Sequence, residues 1–129
     1  ESHDLMPYEA LLQGSNAGNI SAVMLGNMII PGLTGGEPAS ISPAAVKLVR
    51  DMGYNGLVTT DALSAIGYDG MSLSQNVARA VEAGVDAPLF SYSSEQAILR
   101  AIHNISRNVS SSQINASYAK VAALKQNAP

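Results

Sequence analysis

The sequence has no cysteine, no tryptophan and a single phenylalanine. Without cysteine there can be no disulfide and no thiolate metal ligand, although the compartment stays open. Charge is scarce as well: 7 Lys/Arg and 10 Asp/Glu leave a formal charge of −3, with no basic cluster. That balance gives no electrostatic footprint for nucleic acid or for an anionic membrane surface. Two histidines and no clustered carboxylates at ligand spacing point to no metal site. The apolar run "SAVMLGNMIIPG" is shorter than the roughly 20 residues a membrane helix needs, and no signal peptide is visible. The chain opens on Glu1 rather than Met, so a processed or truncated start is expected. Localisation stays undetermined, with a secreted or cell-envelope setting among the options.

What is present is apolar. A hydrophobic fraction of 47% against 13% charged residues describes a globular chain, and 129 residues suffice for one compact domain. Four Asn-x-Ser sequons occur, at Asn19, Asn104, Asn108 and Asn115. They would carry glycans in a secreted eukaryotic protein, but a chain rich in Asn and Ser also makes the pattern by chance, and we favour that reading.

Periodicity alternates between two kinds of segment. "AVMLGNMII" (22–30) is a nearly unbroken apolar run, as expected for a strand covered on both faces. A Gly- and Pro-dense loop follows, then Ser42-Pro43 as N-cap and first turn of a helix. Its apolar stripe is Ala45, Leu48, Val49 and Met52, and Gly53 stops it. "GLVTT" (56–60) is a second strand; residues 74–83 read as a helix with Val77 and Val81 inward, ended by Gly84. "VDAPLF" (85–90) reads as a third strand. Ser93 and Gln96 match a capping box opening a helix with the stripe Ile98, Ala101, Ile102 and Ile105. A last helix near 112–125 presents Ile114, Tyr118 and Val121, and "YEALLQ" forms a leading helix stopped near Gly14. The order α-β-α-β-α-β-α-α predicts an α/β protein with parallel strands. Those strands form either a small open sheet or consecutive staves of a larger barrel, since a whole (β/α)8 barrel needs about 250 residues.

In both arrangements functional groups sit at the carboxyl ends of the strands, which is where Asp61 falls. Three roles compete for it. Asp61 can cap the following turn through its carboxylate. It can be a phospho-acceptor of the receiver type, but the acidic pair and the later Lys which that chemistry needs are missing. Or it can be a nucleophile that attacks an anomeric carbon in glycoside hydrolysis.

The ordered series "AVMLGNMIIPG … EPASISPAAVKLVRDMGYNGLVTTDALSAIG … AVEAGVDAPLF" resembles the N-terminal barrel domain of family 3 glycoside hydrolases, over nearly the whole chain. Its most specific residues are Pro38-Ala39-Ser40, Ser42-Pro43, Gly53-Tyr54-Asn55-Gly56 and Thr60-Asp61-Ala62-Leu63. Ala62-Leu63 stand where the β-glucosidase branch usually has a Trp, so the chain is most similar to the β-N-acetylglucosaminidase branch. The resemblance implies the last three staves of a TIM-type (β/α)8 barrel, with Asp61 as nucleophile of a retaining hydrolysis of terminal β-linked N-acetylglucosamine. It implies no cofactor. A β-glucosidase or β-xylosidase of the same family is the alternative, and a non-catalytic carbohydrate-binding or structural remnant is another.

Two departures from the pattern matter. Asn27 stands where that branch commonly has a His lining the sugar site; it can bind a hydroxyl as a substrate-binding residue, or satisfy backbone groups at the strand end. The family's acid/base, on an Asp-Ser-His-type loop, lies upstream of this chain, and His3 comes too late to be it. His103 reads as a surface residue. The chain is therefore expected to be a C-terminal fragment of the barrel domain. Three staves leave open edges and an uncovered sheet face. The expected partners are a carbohydrate substrate and the rest of the barrel or a second copy. The isolated chain is expected to be inactive.

Overall fold

The computed structural model describes residues 2–13, 20–91 and 94–126. The chain runs α1 (Ser2–Leu12), β1 (Ala22–Leu25), α2 (Pro43–Asp51), β2 (Leu57–Thr60), α3 (Leu73–Glu82), α4 (Glu95–Asn108) and α5 (Ser111–Gln126). Short 3₁₀ turns at Ala39–Ile41, Leu63–Ala65 and Tyr68–Gly70 fill the connections. Gly14, the expected stop of α1, and Ser93 lie outside the described residues.

Most helix boundaries follow their local chemistry. Ser42 is the N-cap of α2 with Pro43 at the first helical position, but its hydroxyl makes no capping bond and is buried without a partner among the described residues. Gly53, just past the C-cap of α2, takes the left-handed φ of +90° that a side chain would resist. α3 begins one residue earlier than expected, and the Ser72 amide donates to Gln75 Oε1 at 2.9 Å, closing half a capping box. For α4 the N-cap is Ser94, whose Oγ accepts from the Ala97 amide at 3.3 Å.

β1 and β2 pair in parallel, with Ala22 opposite Leu57 and Leu25 opposite Thr60. The expected third strand is not one. Residues 85–90 make only a single parallel bridge, Thr59 to Ala87. Pro88 has no N–H and cannot continue a ladder. Threonine hydroxyls take over: Thr59 Oγ1 donates to Ala87 O at 2.6 Å, and Leu89 N donates to Thr60 Oγ1 at 3.0 Å. The segment runs alongside β2, held by these hydroxyls together with the Asp86 and Ala87 amides, which both donate to Val58 O, at 2.9 and 3.1 Å.

Partners in a parallel pair share a face, and faces alternate along each strand. Val23, Leu25, Val58 and Thr60 fall on one face. Leu25 and Val58 pack there in one core with Ala45, Val46 and Val49 of α2 and Val77 and Ala80 of α3. Ala22, Met24, Leu57 and Thr59 fall on the other. Leu57 is buried, but Ala22 is exposed, Thr59 is half-buried and Met24 is 62% exposed. The sheet is covered by helices on one side and largely open on the other.

The outer helices are less covered than their stripes predict. In α4, Ala101 is buried and Ile105 packs on the core, but Ile98 and Ile102 stand exposed. In α5, Ile114 and Tyr118 are exposed, Val121 is half-buried and no residue is fully buried. Polar bonds hold α5 instead.

Gln113 Nε2 donates to Val81 O at 2.5 Å, and the other bonds converge on Asp86, whose side chain is 3% exposed. Its carboxylate accepts from Val58 N at 2.9 Å, Arg50 Nη2 at 2.7 Å, Ser117 Oγ at 2.8 Å and Lys120 Nζ at 2.9 Å. Arg50 also donates to the carbonyls of Tyr54 and Gly56, at 3.1 and 2.7 Å. One carboxylate thus ties α2, β2 and α5 together at the amino-terminal end of β2. Burial alone would raise the Asp86 pKa. The Val58 amide and the bonds from Lys120, Ser117 and Arg50 outweigh it, and the group is held below its ordinary value. A carboxyl whose folded pKa is depressed stabilises the fold above its unfolded value, about 3.9, and loses that contribution as pH falls through the folded one. Urea midpoints should therefore hold their level down to about pH 5 and then drop with acid. In Asp86→Asn the part of that drop due to this group should vanish.

Candidate active site

Asp61 follows β2 directly and extends the ladder by one bond, its N–H donating to Leu25 O at 2.8 Å. Two residues beyond Thr59, it falls in phase with the open face of the sheet. It is half-buried, and its Oδ1 accepts the Ala62 amide at 2.7 Å. That bond reaches only the adjacent amide, and the 3₁₀ turn that follows has Ala62 at its N-cap and no side-chain cap. Oδ2 has no hydrogen-bond partner among the described residues. One oxygen is held and the other is free, so the carboxylate is oriented yet still available to a ligand.

The loop after Asp61 is fixed from two sides. The 3₁₀ turn at Leu63–Ala65 begins there, and Leu63 N donates to Leu89 O at 2.9 Å. Ser64 Oγ donates to Ser91 Oγ at 2.9 Å. On the other side lies Asn27, two residues past β1. Its Nδ2 donates to Ala62 O at 3.0 Å, and its Oδ1 accepts from Ser40 Oγ at 2.7 Å. Both ends of the amide are therefore engaged within the protein. Ser40 is fully buried, and its own N–H donates to Gly26 O at 3.0 Å. The structure thus brings Asp61 and Asn27 to one strand-end cluster, joined through Ala62.

Ser40 and Leu89 belong to this cluster, and neither drew a role from the sequence. The bonds that recruit them, from Ser40 to Asn27 and from Leu63 to Leu89, span 13 and 26 residues, beyond the reach of any local pattern. Asp86 escaped notice for the same reason. His3 lies in the first turn of α1 and His103 on α4, both exposed, and neither joins the cluster. Among the described residues no group of three His, Asp or Glu side chains could hold a metal ion, and no helix is long and apolar enough to cross a membrane.

Two concavities lie elsewhere. An apolar groove of about 200 Å³ runs between α1, β1 and α2, past Leu5, Tyr8, Val23 and Leu48. A polar cleft between α3 and α4, near Arg79, Arg100 and Asn104, measures about 510 Å³. Asp61 lines neither; it stands at the rim of the open sheet face.

Residues 1–124 match the family model of the glycosyl hydrolase family 3 N-terminal domain. The beta-hexosaminidase LpqI of Mycobacterium tuberculosis is 36% identical over 133 residues, covering 95% of this chain and 33% of that protein. A solved structure of M. tuberculosis LpqI superposes with a TM-score of 0.79 at 32% identity, covering 98% of this chain and 39% of that one. A family 3 β-N-acetylglucosaminidase from a Paenibacillus species gives a TM-score of 0.78 at 28% identity, over 95% of this chain and 24% of its own. The chain spans about a third of the length of the curated relatives it matches. With the α/β fold, the parallel strands and a match over nearly its whole length, this chain belongs to glycosyl hydrolase family 3, within the part defined as the N-terminal domain.

Proposed function

We propose that this chain carries the nucleophile of a retaining β-N-acetylglucosaminidase and is the C-terminal part of its barrel domain. The observation that carries the reading is Asp61 itself: a strand-end carboxylate at the open face, with Oδ1 fixed and Oδ2 free. In this mechanism Oδ2 attacks C1 of a terminal β-linked N-acetylglucosamine, and the bond from C1 to the leaving oxygen breaks. A glycosyl ester forms on Asp61, and water then releases the sugar. The acid/base that protonates the leaving oxygen comes from a part of the enzyme outside this chain. The names of LpqI and of the Paenibacillus enzyme support the sugar; cell-wall muropeptides or chitin-derived oligosaccharides would present it.

The open sheet face supports the fragment reading. Met24, Met28, Ile29 and Leu89 are all more than half exposed near the strand ends. The remaining staves of a barrel would cover such a face, and a second copy of the chain is the other way to do so. Of the two roles weighed for Asn27, a sugar contact and satisfaction of backbone groups at the strand end, the bonds it makes to Ala62 O and Ser40 Oγ support the second.

Chromogenic aryl glycosides test the proposal. The full-length enzyme should cleave the N-acetyl-β-glucosaminide with a kcat/KM at least tenfold above that for the β-glucoside or β-xyloside. The 129-residue chain alone should turn over none of them. Preference for the glucoside would move the protein to the other branch, and activity of the isolated chain would place the acid/base within it.

A further inference from the structure

The backbone around Asp61 is anchored peptide by peptide. The peptide before it is held by Asp61 N–H on Leu25 O, at 2.8 Å. The peptide joining Ala62 to Leu63 is held at both ends: its carbonyl accepts from Asn27 Nδ2 at 3.0 Å, and its N–H donates to Leu89 O at 2.9 Å. Among the described residues the peptide between Asp61 and Ala62 has no anchor of its own, and with both neighbours fixed it has little freedom to turn. Its N–H is the one that grips Asp61 Oδ1. The orientation of the carboxylate is thus set by the anchors on either side.

Of those anchors, Asn27 is the one made by a side chain, and a second side chain sets it. Ala62 O is an acceptor, so it needs the NH₂ end of the amide. Ser40 braces the amide in that orientation by donating to its oxygen end at 2.7 Å. Ser40 is 0% exposed, so it has no route to a bound sugar. Any influence it has on the chemistry must pass through Asn27 and Ala62.

We propose that Asn27, oriented by Ser40, is a positioning residue that holds the Ala62–Leu63 peptide and thereby aims the Asp61 carboxylate at the anomeric carbon. The proposal rests on Asp61 being the nucleophile, and it assigns Asn27 to the geometry of attack rather than to sugar binding. Misplacement of a reacting group by about 1 Å can cost on the order of 100-fold in rate. A group that acts only through orientation changes kcat and leaves ground-state binding nearly untouched.

The test is steady-state kinetics of the full-length enzyme on an aryl N-acetyl-β-glucosaminide, with kcat expressed per folded molecule. Asn27→Ala is expected to lower kcat about 10- to 100-fold with KM within about twofold. Ser40→Ala should lower kcat about 5- to 20-fold, again with KM held, and Ser40→Thr, which keeps the hydroxyl, should restore it. The double variant should be no slower than Asn27→Ala alone, because the two side chains act in series. Should Ser40→Ala or Asn27→Ala prove poorly folded, Asn27→Asp serves in its place: it keeps the acceptor for Ser40 but lacks the donor to Ala62 O, and should show the same loss of kcat. An unchanged kcat in Ser40→Ala, or a rise in KM alone in Asn27→Ala, would overturn the proposal, the latter assigning Asn27 to the sugar. Asp61→Ala, run alongside, separates the two failures. If it abolishes turnover while Ser40→Ala leaves kcat intact, the positioning role alone is wrong; if it leaves turnover intact, the nucleophile reading fails first.

Discussion

Replacing Asp61 by alanine in the full-length enzyme should lower turnover of an aryl N-acetyl-β-glucosaminide by at least about 1,000-fold, on the scale of other nucleophile deletions. The cost to stability should be small. The carboxylate makes one hydrogen bond to its own neighbouring amide and is half-buried, so its loss should resemble the loss of a cap, about 1 kcal/mol. Large kinetic and small thermodynamic effects together are what separate a nucleophile from a turn-forming Asp. Azide sharpens the distinction. With the carboxylate gone, azide can enter on the face of the sugar that Oδ2 would have attacked, forming a C1–N bond as the aryl leaving group departs with its electron pair. The product is the α-glycosyl azide, identifiable by its anomeric coupling constant. A variant that hydrolyses at close to the parent rate would return Asp61 to its capping role.

The parts of this molecule legible in the sequence are those that local chemistry determines. Pro43 and Gly53 mark the ends of α2, and the apolar spacing of Val77 and Val81 gives the inner face of α3. Asp61 could be placed at a strand end because strand ends are local too. The misreadings are of two kinds. In "VDAPLF" the apolar content suggested a strand, but the single missing N–H of Pro88 leaves only one bridge to β2. Here the signal was present and outweighed by composition. In α4 and α5 the stripes were real, yet Ile98, Ile102 and Tyr118 are exposed, because periodicity says which residues share a face and not whether anything covers it. The partners of Asn27 lay further still from any pattern. Its bond to Ala62 spans 35 residues and exists only once the two strands are in register.

Asp86 presents the opposite balance to Asp61, and its removal should be the most damaging to stability. Asp86→Ala leaves Arg50 and Lys120 facing one another without the carboxylate that neutralised both, and leaves the Val58 N–H without its acceptor. Breaking a buried ion pair from one side costs about 3–5 kcal/mol. Arg50 keeps its bonds to the Tyr54 and Gly56 carbonyls, and the Arg50 and Lys120 side chains are each more than 20% exposed, so the low end, about 3 kcal/mol, is expected. Urea unfolding of the full-length enzyme measures it. Activity should respond differently, because Asp86 bonds at the amino-terminal end of β2, away from Asp61. Under conditions where the variant is folded, kcat and KM should stay within about threefold of the parent. The loss should also be uneven in space. Two of the four groups on Asp86 belong to α5, a helix with no buried residue of its own. Amide exchange in residues 111–126 should therefore accelerate more than in α2 or α3. Ser117→Ala combined with Lys120→Met should reproduce the faster exchange in α5 while leaving the Arg50 pair, and with it most of the global stability, in place. Equal acceleration across all the helices would mean that Asp86 supports the domain as a whole and that α5 has no separate dependence on it.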